Sequence, residues 1–438
     1  MASIEIDKVT MQSPGSSGLQ GFHLDFPRVG EQPDKFSFDI AGWVVGRNAP
    51  VRRVEVLDSH EVVRSTEVWM PRPDVADHMA RQPAATDAAL QAAKTSGFQA
   101  CVSVVGLLRE FELRVEAVLS DDSRAPLGTV RGRKEPVRAS FQPRLQPIIT
   151  SHLGRSGSTW LMHLLGEHPA IVVHRRYPFE ACMAVHAVRA FDVLTTPCNP
   201  PRAADVDGMR TARDSISSVP LYCRHEDPHM HGWLRGEYVD RFANFTVETM
   251  DAFYLEVAAT QGKKEAKYFA EKAGFYSGHI AQPLIELCPG TREIFLIRDF
   301  RDVTSSAKSF WERPAVPHEI KSIETRIEEQ AIRASRLLEE WRARSSRAHL
   351  VRYEELVQRP VETLRDLLDY LELDNEPALV EQIIEKTAQT PALENHQTAG
   401  GPLRSIGRWR RDMNPAQQAL SSELLGSALR AFGYQDGL

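Results

Sequence analysis

Residues 154–160 read Gly154-Arg155-Ser156-Gly157-Ser158-Thr159-Trp160, directly after the apolar run 147–150 and before the apolar stretch 161–165. That order is strand, small-residue turn, helix. Such a turn aims several backbone N–H groups at one point, at the positive end of a helix dipole, which is a cradle for phosphate. A nucleoside-triphosphate loop has Gly, four residues, then Gly-Lys-Ser/Thr. Here Arg155 sits inside the turn, no Lys follows Gly157, and Trp160 closes it. The departure argues against ATP or GTP with magnesium and suits another phosphorylated donor. A second cluster, Arg298-Asp299-Phe300-Arg301-Asp302, ends the apolar run 293–297, and Ser306 follows about two helical turns on. An Arg at a strand end can fork two donors onto a phosphate. The plainer reading of this cluster is a set of surface ion pairs, which would be worth little.

These motifs together resemble the sulfotransferases that use 3′-phosphoadenosine-5′-phosphosulfate (PAPS). Arg155-Ser156-Gly157-Ser158-Thr159-Trp160 resembles their 5′-phosphosulfate loop. Arg298 and Ser306 have the spacing of their 3′-phosphate motif. His349 to Leu356, with Pro360, Thr363 and Leu364, resembles the strand-to-helix passage that follows. Arg404-Ser405-Ile406-Gly407-Arg408 resembles their closing loop around the 3′-phosphate. The resemblance runs from Ile148 to about Tyr434. It implies a P-loop-like α/β fold, PAPS as donor without a required metal, and transfer of a sulfuryl group to an acceptor hydroxyl or amine. It also implies that Arg155, Ser156, Gly157, Ser158 and Thr159 hold the 5′-phosphate. Arg298, Ser306, Arg404, Ser405, Gly407 and Arg408 would hold the 3′-phosphate. Trp160 matches the adenine-stacking position, against helix-core packing as the alternative. Lys272 stands where cytosolic members place a Lys on the transferring group, against an ordinary strand-end Lys.

The catalytic base departs from the cytosolic pattern, which has His two residues after that Lys; here Gly274 occupies the position. Other branches use a Glu after the loop helix and the next strand, and Glu180 follows the apolar run 171–173 in that way. Glu180 is the leading base, His174 the second and Glu271 the third, since a buried carboxylate of raised pKa can deprotonate a hydroxyl. The rival is a structural ion pair of Glu180 with Arg175 or Arg176, two residues that would otherwise face an acidic acceptor.

The elements that must position these residues alternate strand and helix. Apolar runs near 146–151, 170–174, 267–271, 292–297 and 348–352 predict a parallel sheet covered on both faces. Ile323, Ile327, Ala331, Ala334, Leu338 and Trp341 give residues 322–344 a helical stripe. A three-layer α/β domain over 146–438 follows, with ligands at the carboxyl ends of its strands. The segment from about 184 to 262 is too long for a plain connection and predicts an acceptor pocket or lid.

The first part of the chain reads differently. Alternating segments at 36–45, 51–57, 61–68, 98–105, 110–119 and 126–130 predict an all-β, Ig-like sandwich over 30–135, interrupted by a short helix within 84–93. Residues 136–145 read as a linker. His60 and His78 are lone and solvent-facing, and Trp43 belongs to core. The sandwich carries no catalytic constellation; a transferase beside it leans the acceptor toward carbohydrate, with a small molecule open.

At 438 residues, 42% hydrophobic and 26% charged, the chain is a globular protein of two domains. A net charge of −6 argues against a nucleic-acid partner. No apolar run is long enough to span a bilayer, and the N-terminus lacks the form of a signal peptide. Five scattered cysteines form no disulfide framework. These features predict the cytoplasm. Two other functions remain as alternatives: a small-molecule kinase of P-loop fold, which would need magnesium, and a non-catalytic scaffold or adhesion protein, which would need no phosphate loop.

Overall fold

The fold is described from a computed structural model of the chain, which describes residues 4–13, 18–31, 36–59, 61–81, 86–176, 179–196, 233, 236–274, 277–311, 322–389 and 400–434. His60 and most of the expected acceptor segment, 197–232, lie outside the described residues. The chain divides into two units: Met1–Ser140 with Arg189–Thr246, and Phe141–Val188 with Val247–Leu438. The division near residue 140 falls inside the expected linker. The second unit is not the continuous 146–438 expected from sequence, because residues 189–246 group with the first.

The described residues of the first unit hold eight strands: β1 (Ile4–Met11), β2 (Leu19–Phe26), β3 (Ser37–Gly46), β4 (Val51–Asp58), β5 (Glu61–Glu67), β6 (Gly97–Ser103), β7 (Glu110–Leu119) and β8 (Arg124–Lys134). They form a five-stranded sheet, β1-β8-β7-β4-β5, and a three-stranded sheet, β2-β3-β6. Their inward residues, among them Ile4, Phe38, Val56, Phe98 and Leu113, share one core. The sandwich therefore begins at Ile4, not at residue 30. Of the two added strands, β2 buries Leu19, Phe22 and Leu24, whereas β1 buries only Ile4 and Ile6 and leaves its other side chains partly or fully exposed. Two helices, α1 (Pro73–Ala80) and α2 (Asp87–Ala93), interrupt the sandwich. Trp43 is half-buried against them, and His78 is exposed.

The second unit is a parallel sheet, β10-β11-β9-β12-β13, made of β9 (Gln146–His152), β10 (Ile171–Val172), β11 (Tyr268–Gly274), β12 (Arg292–Ile297) and β13 (Ala348–Arg352). Each strand matches an expected apolar run. Alternation along β12 builds the layers. Ile294 and Leu296 join a core with α3 (Ser158–Glu167) and with Leu364, Leu367, Leu368 and Leu371. Phe295 and Ile297 join a second core on the other face. After α3 and β10 come α4 (Met183–Thr195) and α5 (Glu237–Thr260), each shared between the two units, and then α6 (Ser277–Leu287), α7 (Phe300–Trp311) and α8 (Ile323–Arg344). The chain continues through α9 (Tyr353–Gln358), α10 (Pro360–Tyr370), α11 (Pro377–Ala388), α12 (Trp409–Asp412) and α13 (Pro415–Ala431). Pro360 opens α10 at the first helical position, where a missing N–H costs nothing. Within 136–145, Val137, Ala139 and Leu145 are buried, and the Leu145 amide donates to Asp251 at 2.9 Å.

Candidate active site

The central strand β9 delivers its carboxyl end into residues 153–157, and Gly157 caps α3 with a left-handed φ of 93°. A Cβ there would lie 2.5 Å from the Tyr353 ring, so the position tolerates only glycine without rearrangement. Arg155 is also left-handed, at φ 71°, a conformation a side chain adopts only when its surroundings hold it there. The Ser156 hydroxyl donates to the Leu153 carbonyl and closes the turn. The first amides of α3 have no acceptor within the helix and point along its axis into this turn.

Three basic residues converge on the loop. Arg155 lies over the Phe310 ring at 4.3 Å, and its Nε donates to Ser306 Oγ at 3.4 Å. Arg298, at the end of β12, is 4% exposed and stacks on Tyr353 at 4.6 Å. It donates to the carbonyl of Arg155 at 3.0 Å and to that of Ser405 at 2.7 Å, tying the loop to the C-terminal segment. Its Nε is buried and has no partner among the described residues, a donor left for a ligand. Lys272, near the end of β11, is buried and donates to Thr159 Oγ1 and Glu180 Oε1, both at 2.9 Å. Burial pushes its pKa down, and the Glu180 carboxylate opposes that shift.

Glu180 therefore pairs with Lys272. It does not pair with Arg175, which reaches Glu167 at 3.4 Å and the Gly166 carbonyl at 3.1 Å. Glu180 keeps 40% of its side chain exposed, so it is both held and open to a reactant. His174 is half-buried with its Nδ1 unpartnered. Glu271 is committed elsewhere: its carboxylate accepts from the Tyr254 hydroxyl and from the Ala184 amide at 3.0 and 3.1 Å. Trp160 is half-buried, edge-on to Tyr353 at 6.2 Å.

The acidic residues beside Arg298 are not a surface cluster. Asp299 forms a buried bidentate pair with Arg301, whose guanidinium lies 4.0 Å above Trp409. Asp302 accepts from the amides of Gly407 at 2.7 Å and Trp409 at 2.9 Å, and so clamps the closing loop. Burial raises its pKa to about 6. Within that loop Ser405 meets Tyr353 Oη at 3.0 Å. Arg408 is buried on Asp412 and Ser309, the latter at 2.8 Å, and Arg404 is exposed. Gly407 has φ 67°.

Sequence reasoning missed His152. It ends β9, two residues beyond Thr150, which pairs in register with Lys272, so strand alternation sets it on the Lys272 side of the sheet. Its Nδ1 donates to the Leu153 carbonyl at 2.9 Å, and its Nε2 is buried and unpartnered. An orphaned buried nitrogen costs about 1–3 kcal/mol. Burial pushes its pKa down to about 4, so the ring is neutral at pH 7. The available signal was a polar residue closing a buried strand beside the loop. Among the described residues no group of three or more His, Cys, Asp or Glu is placed to hold a metal ion. No described helix is long and apolar enough to cross a membrane.

A family model described as the sulfotransferase family matches residues 147–377, more than half of the chain. Solved structures similar to this chain include sulfotransferase STF9 from Mycobacterium avium, at 17% identity, covering 67% of this chain and 78% of that one, with a TM-score of 0.36. The sulfotransferase domain from the Synechococcus PCC 7002 olefin synthase is 17% identical, covering 69% and 99%, with a TM-score of 0.37. The mouse sulfotransferase SULT7A1 complexed with PAP is 14% identical, covering 66% and 87%, with a TM-score of 0.36. No curated protein sequence matches the chain.

Proposed function

The chain belongs to the sulfotransferase family, and from that premise we propose that it transfers the sulfuryl group of PAPS to a hydroxyl of a small-molecule or glycan acceptor, releasing adenosine 3′,5′-bisphosphate. The observation that carries this reading is the convergence of Arg155, Lys272 and Arg298 on the loop that caps α3. The amides of 156–159 with the hydroxyls of Ser158 and Thr159 bind the 5′-phosphate. Arg298, with its unpartnered Nε, Ser306 and the closing-loop residues Arg404, Ser405, Gly407 and Arg408 bind the 3′-phosphate. Arg155 and Lys272 neutralise charge as the bond from sulfur to the 5′-phosphate oxygen breaks, which is stabilisation preorganised in a buried site. Glu180 takes the proton of the acceptor as its oxygen bonds to sulfur. Among the described residues it has one hydrogen bond, from Lys272 to Oε1, which leaves Oε2 for that task. Trp160 flanks the adenine.

The donor is not a nucleoside triphosphate on this reading, and turnover persists in EDTA. The five widely scattered cysteines of the sequence offer no disulfide framework and suit a reducing compartment such as the cytoplasm. The test is ligand binding. Adenosine 3′,5′-bisphosphate should raise the melting temperature, and adenosine 5′-phosphate should bind much more weakly. Arg298→Ala should erase most of that difference, since a charged hydrogen-bond pair is worth about 1.5–3 kcal/mol. Equal affinities for the two nucleotides in the unaltered protein would remove the 3′-phosphate assignment.

A further inference from the structure

Glu180 stands on an unusual piece of backbone. Phe179 and Cys182, on either side of it, are both left-handed, at φ 65° and 55°, and neither is glycine. A bulky residue such as Phe in that region is an outlier that the surrounding structure must impose. On one side the cause is packing. The Phe179 ring is buried in the core beneath the sheet, 5.2 Å from His163, and its amide donates to the Arg176 carbonyl at 2.8 Å. On the other side the chain enters α4 at Met183, and the first amides of a helix have no acceptor of their own. Glu271 supplies it, with both oxygens on the Ala184 amide.

Glu271 is 2% exposed and sits one residue before Lys272 on β11, so the two side chains leave opposite faces of the strand. Tyr254 on α5 donates its hydroxyl to the same carboxylate and stacks flat on Phe269 of β11, at 4.0 Å and 5°. The turn is thus held between two adjacent residues of one strand. Lys272 takes the Glu180 side chain, and Glu271 takes the backbone three to four residues later. A buried carboxylate that accepts a helix-terminal amide and a phenol is not available to a substrate hydroxyl. Burial raises its pKa, while the hydrogen bonds from Tyr254 and from the amides of Ala184, Met183 and Val185 favour its charged form.

We propose that Glu271, with Tyr254, is a positioning residue for Glu180: it anchors the start of α4 and thereby holds the strained turn 179–182 in the conformation that sets Glu180 on Lys272. This rests on the reading of Glu180 as the base, but the anchoring itself can be measured without turnover. Glu271→Gln keeps the size of the side chain but leaves one neutral carbonyl oxygen to be shared by the Ala184 amide and the Tyr254 hydroxyl, and it removes the charge that strengthens both bonds.

The experiment is amide hydrogen exchange on the full chain, with and without adenosine 3′,5′-bisphosphate, beside hydrolysis of PAPS with water as the acceptor. In Glu271→Gln, exchange at 182–186 should quicken by about tenfold or more, while 153–160 keep their protection and the bisphosphate keeps its affinity. PAPS hydrolysis should fall by about tenfold. The double variant Glu271→Gln/Glu180→Gln should be no slower than Glu180→Gln alone, because Glu271 acts through Glu180. Tyr254→Phe should show the same pattern at about threefold, and it decides the matter if Glu271→Gln does not fold. Unchanged exchange at 182–186, or loosening that spreads equally to 153–160, overturns the proposal. Full additivity in the double variant does so as well. If Glu180→Gln hydrolyses PAPS at the normal rate, the base assignment falls, and the exchange result still decides the role of Glu271.

Discussion

The two halves of this protein treat charge in opposite ways. On the β-sandwich, charged side chains pair across neighbouring strands at the surface. Arg133 meets Glu5 and Asp7, and Arg131 meets Glu112, with all five side chains between 38% and 56% exposed. In the α/β unit the charges that matter are inside. Lys272, Arg298, Arg301, Asp302 and Glu271 are each no more than 6% exposed, and all lie in or just past the carboxyl ends of the central strands. Taking such groups out of water is costly unless each is paired or hydrogen-bonded. The α/β unit accepts that cost where a strand end, a helix start and a left-handed loop meet, and again in the buried Glu293–Arg344 pair at the start of β12. The sandwich, built on a continuous apolar core, accepts less of it: among its described residues Glu55 and Lys134 are the buried charges.

The largest expected effect breaks the comparison at its centre. Glu180→Gln preserves shape and leaves the loop residues in place, so adenosine 3′,5′-bisphosphate should bind with unchanged affinity. Turnover should fall by about 10²–10⁴, the usual worth of a general base. Bisphosphate titrations and single-turnover rates check both points. A near-normal rate moves the base to His174.

An effect of intermediate size tests whether the buried polar groups of the site set the pH response of the fold. His152 has its pKa lowered to about 4 from 6.5, so its contribution to stability is present above pH 6.5 and lost as pH falls through 4. Asp302 has its pKa raised to about 6 from 3.8, so its contribution is present below pH 3.8 and lost as pH rises through 6. The two oppose each other on the acid side. Between pH 7 and 4.5 each should shift stability by about 2 kcal/mol, one pKa unit being worth about 1.4 kcal/mol. His152→Asn should therefore become relatively more stable than the unaltered protein as pH falls, and Asp302→Asn relatively less stable. Urea unfolding of the three proteins at pH 7 and 4.5 gives the answer. Parallel curves would mean that neither group is perturbed by burial.

Much of this was legible in the sequence, for definite reasons. The parallel sheet carries apolar runs such as Pro147–Ile149, Ile171–Val173 and Ile294–Ile297, and such runs stand out. The loop was legible because its small residues are consecutive, and the spacing from Arg298 to Ser306 lies within one strand-to-helix passage. The strand β1 was not legible, because it buries only Ile4 and Ile6 and pairs with β8 from the far end of the unit. Contacts between distant residues were equally hidden. Glu180 and Lys272 are 92 residues apart, Glu271 and the Ala184 amide 87, and Asp302 and the Gly407 amide 105. No local pattern reports which of several acidic residues a fold brings to a given Lys. Glu271 therefore looked like a candidate base from its neighbour Lys272, and only its hydrogen bonds show that it is occupied. His152 went unnoticed because a single polar residue at the end of an apolar strand carries no spacing of its own.

The smallest expected effect lies on the sandwich and sharpens the contrast from the other side. Arg133 reaches Glu5 at 3.0 Å and Asp7 at 3.2 Å, joining the two strands β1 and β8. Those strands are already held by an antiparallel ladder from Ile4–Lys134 to Met11–Gly128, and the inward side chains Ile4 and Ile6 are fully buried beside it. The ion pair adds little to that frame, because its partners are solvated, screened by salt and entropically costly to hold. Arg133→Ala leaves Glu5 and Asp7 in water, where neither needs a partner. The melting temperature should stay within about 2 °C of the unaltered protein, and the difference should shrink further as salt is raised. Bisphosphate affinity and turnover should not change. A drop of more than about 5 °C, or a change in turnover, would mean that the surface charge of the sandwich bears on the fold or the reaction, and the division between an inert and a reactive half would no longer hold.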